Sequence, residues 1–130
     1  MALEKSITVE TKTALVYLRA DGILQIDIKA NQVLAIKDVE ELIASVYEIG
    51  KGKKFKNLVV FGEHTIVDVE GLRLSASLEG SLYKKADAFV IAGLPQRIIS
   101  DFYLRIIRPV TPTVFFTNVT DAEKWLAEVE

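Results

Sequence analysis

The sequence predicts an α/β domain. Its mixed β-sheet begins as an N-terminal antiparallel meander and continues as alternating helices and strands, with about four helices. Three observations carry this reading. The first third alternates apolar and polar residues around an Asp-Gly turn. Two later runs, NLVVFG at residues 57–62 and AFVIA at residues 88–92, are almost continuously apolar, as strands covered on both faces are. The segments between and after those runs repeat their apolar residues with a helical period.

Taken in order, residues 6–10 alternate Ile7 and Val9 with polar neighbours and form a short strand. Residues 14–19, ALVYLR, form a stronger one. Asp21-Gly22 suits the positive φ angles of a tight hairpin turn, after which Leu24, Ile26 and Ile28 alternate with Gln25, Asp27 and Lys29. Helical spacing starts beyond Asn31. Asp38 is placed to cap a run in which Val39, Leu42, Ile43, Val46 and Ile49 face inward until Gly50 stops it, while Glu40, Glu41 and Glu48 face water.

Beyond the 57–62 strand, Asp68 suits the N-cap of a helix in which Leu74, Leu78 and Leu82 share one face; Gly71 and Gly80 weaken such a helix. The 88–92 run ends at Gly93, and Leu94-Pro95 opens a second helix, since proline tolerates the first turn. Leu94, Ile98, Phe102 and Ile106 form its buried stripe, widened by Ile99 and Tyr103, with Arg97, Asp101, Arg105 and Arg108 opposite. Pro109 and Pro112 end it. TVFFT at residues 113–117 is the last strand, and Thr120 with Glu123 makes a capping box for a final helix that buries Trp125, Leu126 and Val129.

No linker, repeat or low-complexity segment interrupts these 130 residues, which read as a single domain, 1–130. The formal charge is −2 with both signs interspersed, so no broad field favours nucleic acid or an anionic membrane. The locally basic GKGKKFK, residues 50–56, sits between a helix and a strand, where solvated lysines are routine. No apolar run is long enough for a transmembrane helix and the N-terminus lacks a secretory h-region, so a cytoplasmic location is expected. Zero cysteines leave no disulfide, thiolate nucleophile or thiol metal ligand.

The lone His64 builds no histidine-rich metal site, no Ser-His-Asp order with an elbow motif is present, and neither glycine-rich phosphate motif occurs. No catalytic residue, metal site or cofactor is therefore assigned. His64 reads as a loop residue beside a strand end, where α/β sheets gather ligands. Glu63, Asp68 and Glu70 cluster acids after a strand, in a spacing that matches no metal loop. Arg97, Asp101, Arg105 and Arg108 either bind an anion or an acidic partner, or form ion pairs on a wet helix face.

The order of elements, with AFVIAGL at residues 88–94 leading into a helix, then Val114-Phe115-Phe116, then Asp121-Ala122-Glu123-Lys124-Trp125-Leu126, resembles the STAS domain, the SpoIIAA-like fold of the anti-sigma factor antagonists. Gln96-Arg97 followed by Asp101-Phe102-Tyr103-Leu104-Arg105 is similar to small standalone bacterial STAS-like proteins of unassigned function. In the antagonists, the segment matching Val67–Leu72 reads approximately Ile-Asp-Ser-Ser-Gly-Leu and carries the phosphorylated switch serine. Here Asp68, Gly71 and Leu72 match, but Val69 stands at the serine position and Glu70 follows it. Glu70 is then either a fixed charge analogous to the switched state or a residue stabilising the helix dipole.

The resemblance implies a non-enzymatic regulatory or protein-interaction module without the usual phosphorylatable serine. Its unknown protein partner would contact Glu63, His64, Asp68, Val69, Glu70 and Arg73. The alternative is a carrier of a small apolar ligand or lipid, related to the CRAL-TRIO-like fold, with Leu74, Leu78, Leu82, Phe102 and Tyr103 as its pocket. Edge strands of the meander would suit a homodimer.

Overall fold

The computed structural model describes residues 7–129. The meander is built from β1 (Thr8–Glu10), β2 (Ala14–Leu18) and β3 (Leu24–Ile28), followed by the short β4 (Val33–Leu34). Helix α1 (Ile36–Gly50) leads to β5 (Phe55–Phe61), and the short β6 (Ile66–Val67) leads directly to α2 (Val69–Ala76). A single 3-10 turn at Glu79–Ser81 precedes β7 (Lys84–Val90). Helix α3 (Leu94–Phe102) continues as a π-helical turn over Tyr103–Ile107, and β8 (Thr113–Phe116) and α4 (Val119–Glu128) complete the chain. Of the expected 6–10 strand, Ser6 lies outside the described residues.

The main sheet has the strand order β1-β2-β3-β5-β7-β8. β1, β2 and β3 pair antiparallel, while β3, β5, β7 and β8 pair parallel. β4 and β6 form a separate two-stranded parallel ribbon. The change from antiparallel to parallel pairing falls where the sequence pattern changes from alternating to continuously apolar, because β5 and β7, inside the parallel part, are covered on both sides. One face carries the larger core, where Leu42 and Val46 of α1, Leu72 and Ala76 of α2 and Tyr103 pack over Ile26, Val59 and Phe89. On the other face Ala122 and Leu126 of α4 cover Leu58, Ala86, Ala88 and Val90.

The hairpin turn forms as its residues dictate. Gly22 has φ +88°, Arg19 and Ile23 close the turn through Arg19 N–H to the Ile23 carbonyl, and Asp21 Oδ1 accepts from the Ile23 N–H. Helix α1 begins slightly earlier than the sequence suggests. Its N-cap is Ala35, and Asp38, three residues in, reaches back to accept from the Ala35 N–H at 2.8 Å. Similarly, α4 is capped by Asn118, whose Oδ1 accepts from Asp121 N–H at 2.8 Å; the Thr120–Glu123 box does not form, and Glu123 pairs with Arg19 instead.

Two expected apolar faces are corrected. Helix α2 is eight residues long, so Leu74, Leu78 and Leu82 do not share a helical face. The chain folds back after Ala76: Ser77 Oγ donates to the Leu74 carbonyl and accepts from the Gly80 N–H. Gly80 lies so close to the Leu74 carbonyl that a side chain would collide with it. Leu78 is consequently 77% exposed, and Leu82 is exposed as well.

In α3 the inward stripe is shifted from the expected one. Leu94, Ile98 and Ile106 are exposed, the first two by 66% and 59%, whereas Gln96, Ser100 and Tyr103 are buried and Ile99 and Ile107 are partly so. The inward positions still follow helical spacing, as 96, 99, 100, 103 and 107. Gln96 occupies one of them because backbone groups beneath need partners: its Nε2 donates to the carbonyls of Gly62 and Thr65, and its Oε1 accepts from Ala92 N–H. An apolarity count cannot select that face.

Candidate functional site

The N-terminal turn of α2 is built as the sequence suggests. Asp68 is the N-cap, with Oδ1 accepting from Gly71 N–H at 2.8 Å, and Leu72 packs inward while Val69, Glu70 and Arg73 stay exposed. Gly71 is buried against Val67 and Val39, which seats this turn close on β6 and α1. Glu63 and His64 lie just before β6, both exposed, in a turn that His64 takes with φ +65°. Glu63, His64, Asp68, Val69, Glu70 and Arg73 therefore belong to one local segment, β6 with its flanks, and all reach solvent. Val69 is an apolar residue 44% exposed at the first position of the helix.

Arg97, Asp101, Arg105 and Arg108 are all exposed on α3 and its extension. Among the described residues no ion pair joins Asp101 to either Arg97 or Arg105, and Arg108 Nε donates to the carbonyl of Arg105. The exposed Leu94 and Ile98 interleave with Arg97 and Asp101.

Between α1, α2, α3 and the sheet lies a cavity of about 110 Å³. Ile26, Val39, Leu42, Val46, Val59 and Phe89 give it apolar walls. Of the five residues expected to form a pocket, only Tyr103 lines this one. Leu78 and Leu82 point to solvent, and Leu74 and Phe102 are not among its walls. A polar cluster on the sheet and α2 forms one side, and it had no counterpart in the sequence reading.

That cluster starts from strand register. Asn57 of β5 and Asp87 of β7 are direct cross-strand partners, and Asn57 Nδ2 donates to Asp87 Oδ1 at 3.1 Å. Lys84 Nζ donates to Asp87 Oδ2 at 2.5 Å and to the Ser75 carbonyl at 3.0 Å, which ties β7 to α2. The Ser75 hydroxyl and the Tyr103 hydroxyl are 3.0 Å apart. Burial, followed by the nearby Asp87 charge, pushes the Tyr103 hydroxyl well above the usual tyrosine range, although its bond with Ser75 opposes the shift. Asn57 is only 4% exposed, yet its Oδ1 has no hydrogen-bond partner. Apolar walls with a few convergent polar groups are the usual makeup of a small-molecule site.

These residues were legible only as anomalies. Lys84, Asp87 and Asn57 are polar residues inside or beside strands that are otherwise apolar, and polar residues at such positions signal a buried polar network.

The far face of the meander carries a second, more open network. Tyr17 OH donates to Asp27 Oδ2 at 3.0 Å, Gln25 Nε2 donates to Asp27 Oδ1 at 2.8 Å, and Arg19 bridges Gln25, Asp21 and Glu123. Partial burial and then the Asp27 carboxylate, as bond partner and as charge, push the Tyr17 hydroxyl up to about 12, against the opposing pull of Arg19.

Among the described residues, no cluster of three or more histidines, aspartates and glutamates is placed to hold a metal ion, and no helix is long and apolar enough to cross a membrane. No curated protein matches this chain. Among solved structures it is similar to an uncharacterized protein from Shewanella loihica PV-4, of the DUF3478 family with a SpoIIAA-like fold. The TM-score is 0.57 at 14% identity, covering 97% of this chain and 98% of the other. The SpoIIAA-like fold expected from the order of elements is therefore the fold of this chain. Residues 16–130 match the family described as "Domain of unknown function (DUF7793)", and the chain belongs to that family.

Proposed function

We propose that this protein is a non-enzymatic regulatory module that docks a protein partner through the start of α2 and the turn before β6. The observation that supports this is Val69. An apolar side chain, 44% exposed at the first turn of a helix, is ringed in sequence by the exposed Asp68, Glu70 and Arg73 and preceded by the exposed Glu63 and His64. A small apolar centre with a charged rim is the makeup of a protein-contact surface. Without a hydroxyl at position 69, a partner would meet a permanently charged helix start, in which Glu70 complements the helix dipole.

Partner profiles test this reading. Proteins cross-linked to wild type are compared with those cross-linked to Val69→Asp and Glu70→Ser, both surface changes that leave the fold intact. Loss of the same partner from both variants is expected, and an unchanged profile counts against α2. Arg105→Glu supplies the contrast, since it alters the profile only where the basic α3 face is used.

A second reading is favoured by the cavity: a module that holds a small apolar molecule. Its volume of about 110 Å³, below the 150 Å³ of a cavity known to accept benzene, supports a small molecule over a long-chain lipid.

A further inference from the structure

We infer that the cavity between the three helices and the sheet binds a small neutral molecule, on the order of five heavy atoms, with an apolar body and one hydrogen-bond donor, an alcohol in chemical class, whose hydroxyl donates to Asn57 Oδ1. This rests on the small-ligand reading above and narrows it to a class.

Three features select that class. The walls are apolar, which calls for a hydrocarbon body. Lys84 and Asp87 already pair, and Asp87 also accepts from Asn57 Nδ2, so a charged ligand would add an uncompensated buried charge. Asn57 lines the cavity and its Oδ1 acceptor, buried beside it, has no partner, whereas a group this deeply buried is nearly always satisfied in native proteins. The ligand must therefore donate. An alcohol oxygen also accepts, and the paired hydroxyls of Ser75 and Tyr103 share one hydrogen bond while carrying two protons. Both residues line the same cavity.

The test uses two isomers of one formula. Butan-1-ol and diethyl ether contain the same atoms, but only the alcohol donates. Each is titrated into the ¹⁵N-labelled full chain and followed by amide NMR. The expected result is saturable shifts with butan-1-ol at Asn57, Val59 and Phe89, and at least ten-fold weaker binding of the ether. Asn57→Ala should erase that preference. If that variant does not fold, the wild-type comparison still decides.

Equal binding of the two isomers at those amides would overturn the donor assignment while leaving the small-ligand reading in place. No saturable shift with either, or shifts confined to the exposed face of α3, would overturn both, leaving a cavity that holds only water.

Discussion

Lys84 and Asp87 lie three residues apart on β7, and their buried side chains pair on the same side of the sheet. In a regular strand, residues three apart point to opposite faces. Here Phe55 pairs with Lys84 and Lys56 with Ala86, so Lys85 is an extra residue, a bulge that turns Lys84 toward the cavity face occupied by Asp87 and Phe89. Ala86 consequently faces α4. The polar side of the cavity thus depends on a single residue of irregular pairing.

Removing one partner of this pair should be costly. Asp87→Ala leaves the Lys84 ammonium buried and is expected to lower stability by about 3–5 kcal/mol in urea unfolding. Lys84→Met combined with Asp87→Asn removes both charges yet keeps an acceptor for Asn57, and should recover most of that loss. A double variant as unstable as the single one would show that the charge pair is not the source.

Tyr103 makes stability depend on alkaline pH. Its hydroxyl is raised in the folded chain, chiefly by burial, so above the ordinary tyrosine value of about 10 the unfolded chain loses a proton that the folded chain keeps. This contribution is fully present below about pH 10 and is lost as pH rises toward the folded value, at up to about 1.4 kcal/mol per pH unit. Unfolding midpoints measured from pH 8 to 11 should fall more steeply for wild type than for Tyr103→Phe. Parallel profiles would assign the alkaline loss elsewhere.

Gln96 satisfies three backbone groups at once, the carbonyls of Gly62 and Thr65 and the N–H of Ala92. Gln96→Leu adds an apolar residue to the inner face of α3 but leaves those groups unpaired, at about 1 kcal/mol or more each. A loss of about 3 kcal/mol is expected from chemical denaturation. A neutral or stabilising result would mean that water replaces the amide.

The cap of α2 is testable apart from any partner. Asp68→Ala should cost about 1 kcal/mol, while Asp68→Asn, which keeps the oxygen that accepts from Gly71 N–H, should cost much less. Thermal melts of the two variants measure the difference. Equal melts would mean that helix α2 does not depend on its cap.

The meander, the hairpin at Asp21-Gly22, the two covered strands and the Asp68 cap were all legible in the sequence, because each depends on local period or local hydrogen bonding. The SpoIIAA-like architecture followed from their order. The inward face of α3 and the length of α2 were misread for one shared reason. Leu78, Leu94 and Ile98 are apolar but find nothing to pack against, whereas Gln96 and Ser100 are polar and are drawn inward, Gln96 by unpaired backbone groups of other segments and Ser100 while bonding the carbonyl of Arg97 in its own helix.

By itself the sequence determined the class of fold and the order of its elements, since these depend on residue identity and local periodicity. Only the tertiary structure decided that Asn57, Lys84, Asp87, Ser75 and Tyr103 share one cavity. That meeting depends on the pairing register of β5 with β7, on the bulge at Lys85 and on the packing of α2 and α3 over them. Residues up to 46 positions apart in the chain become neighbours there, and no local pattern encodes such a distance.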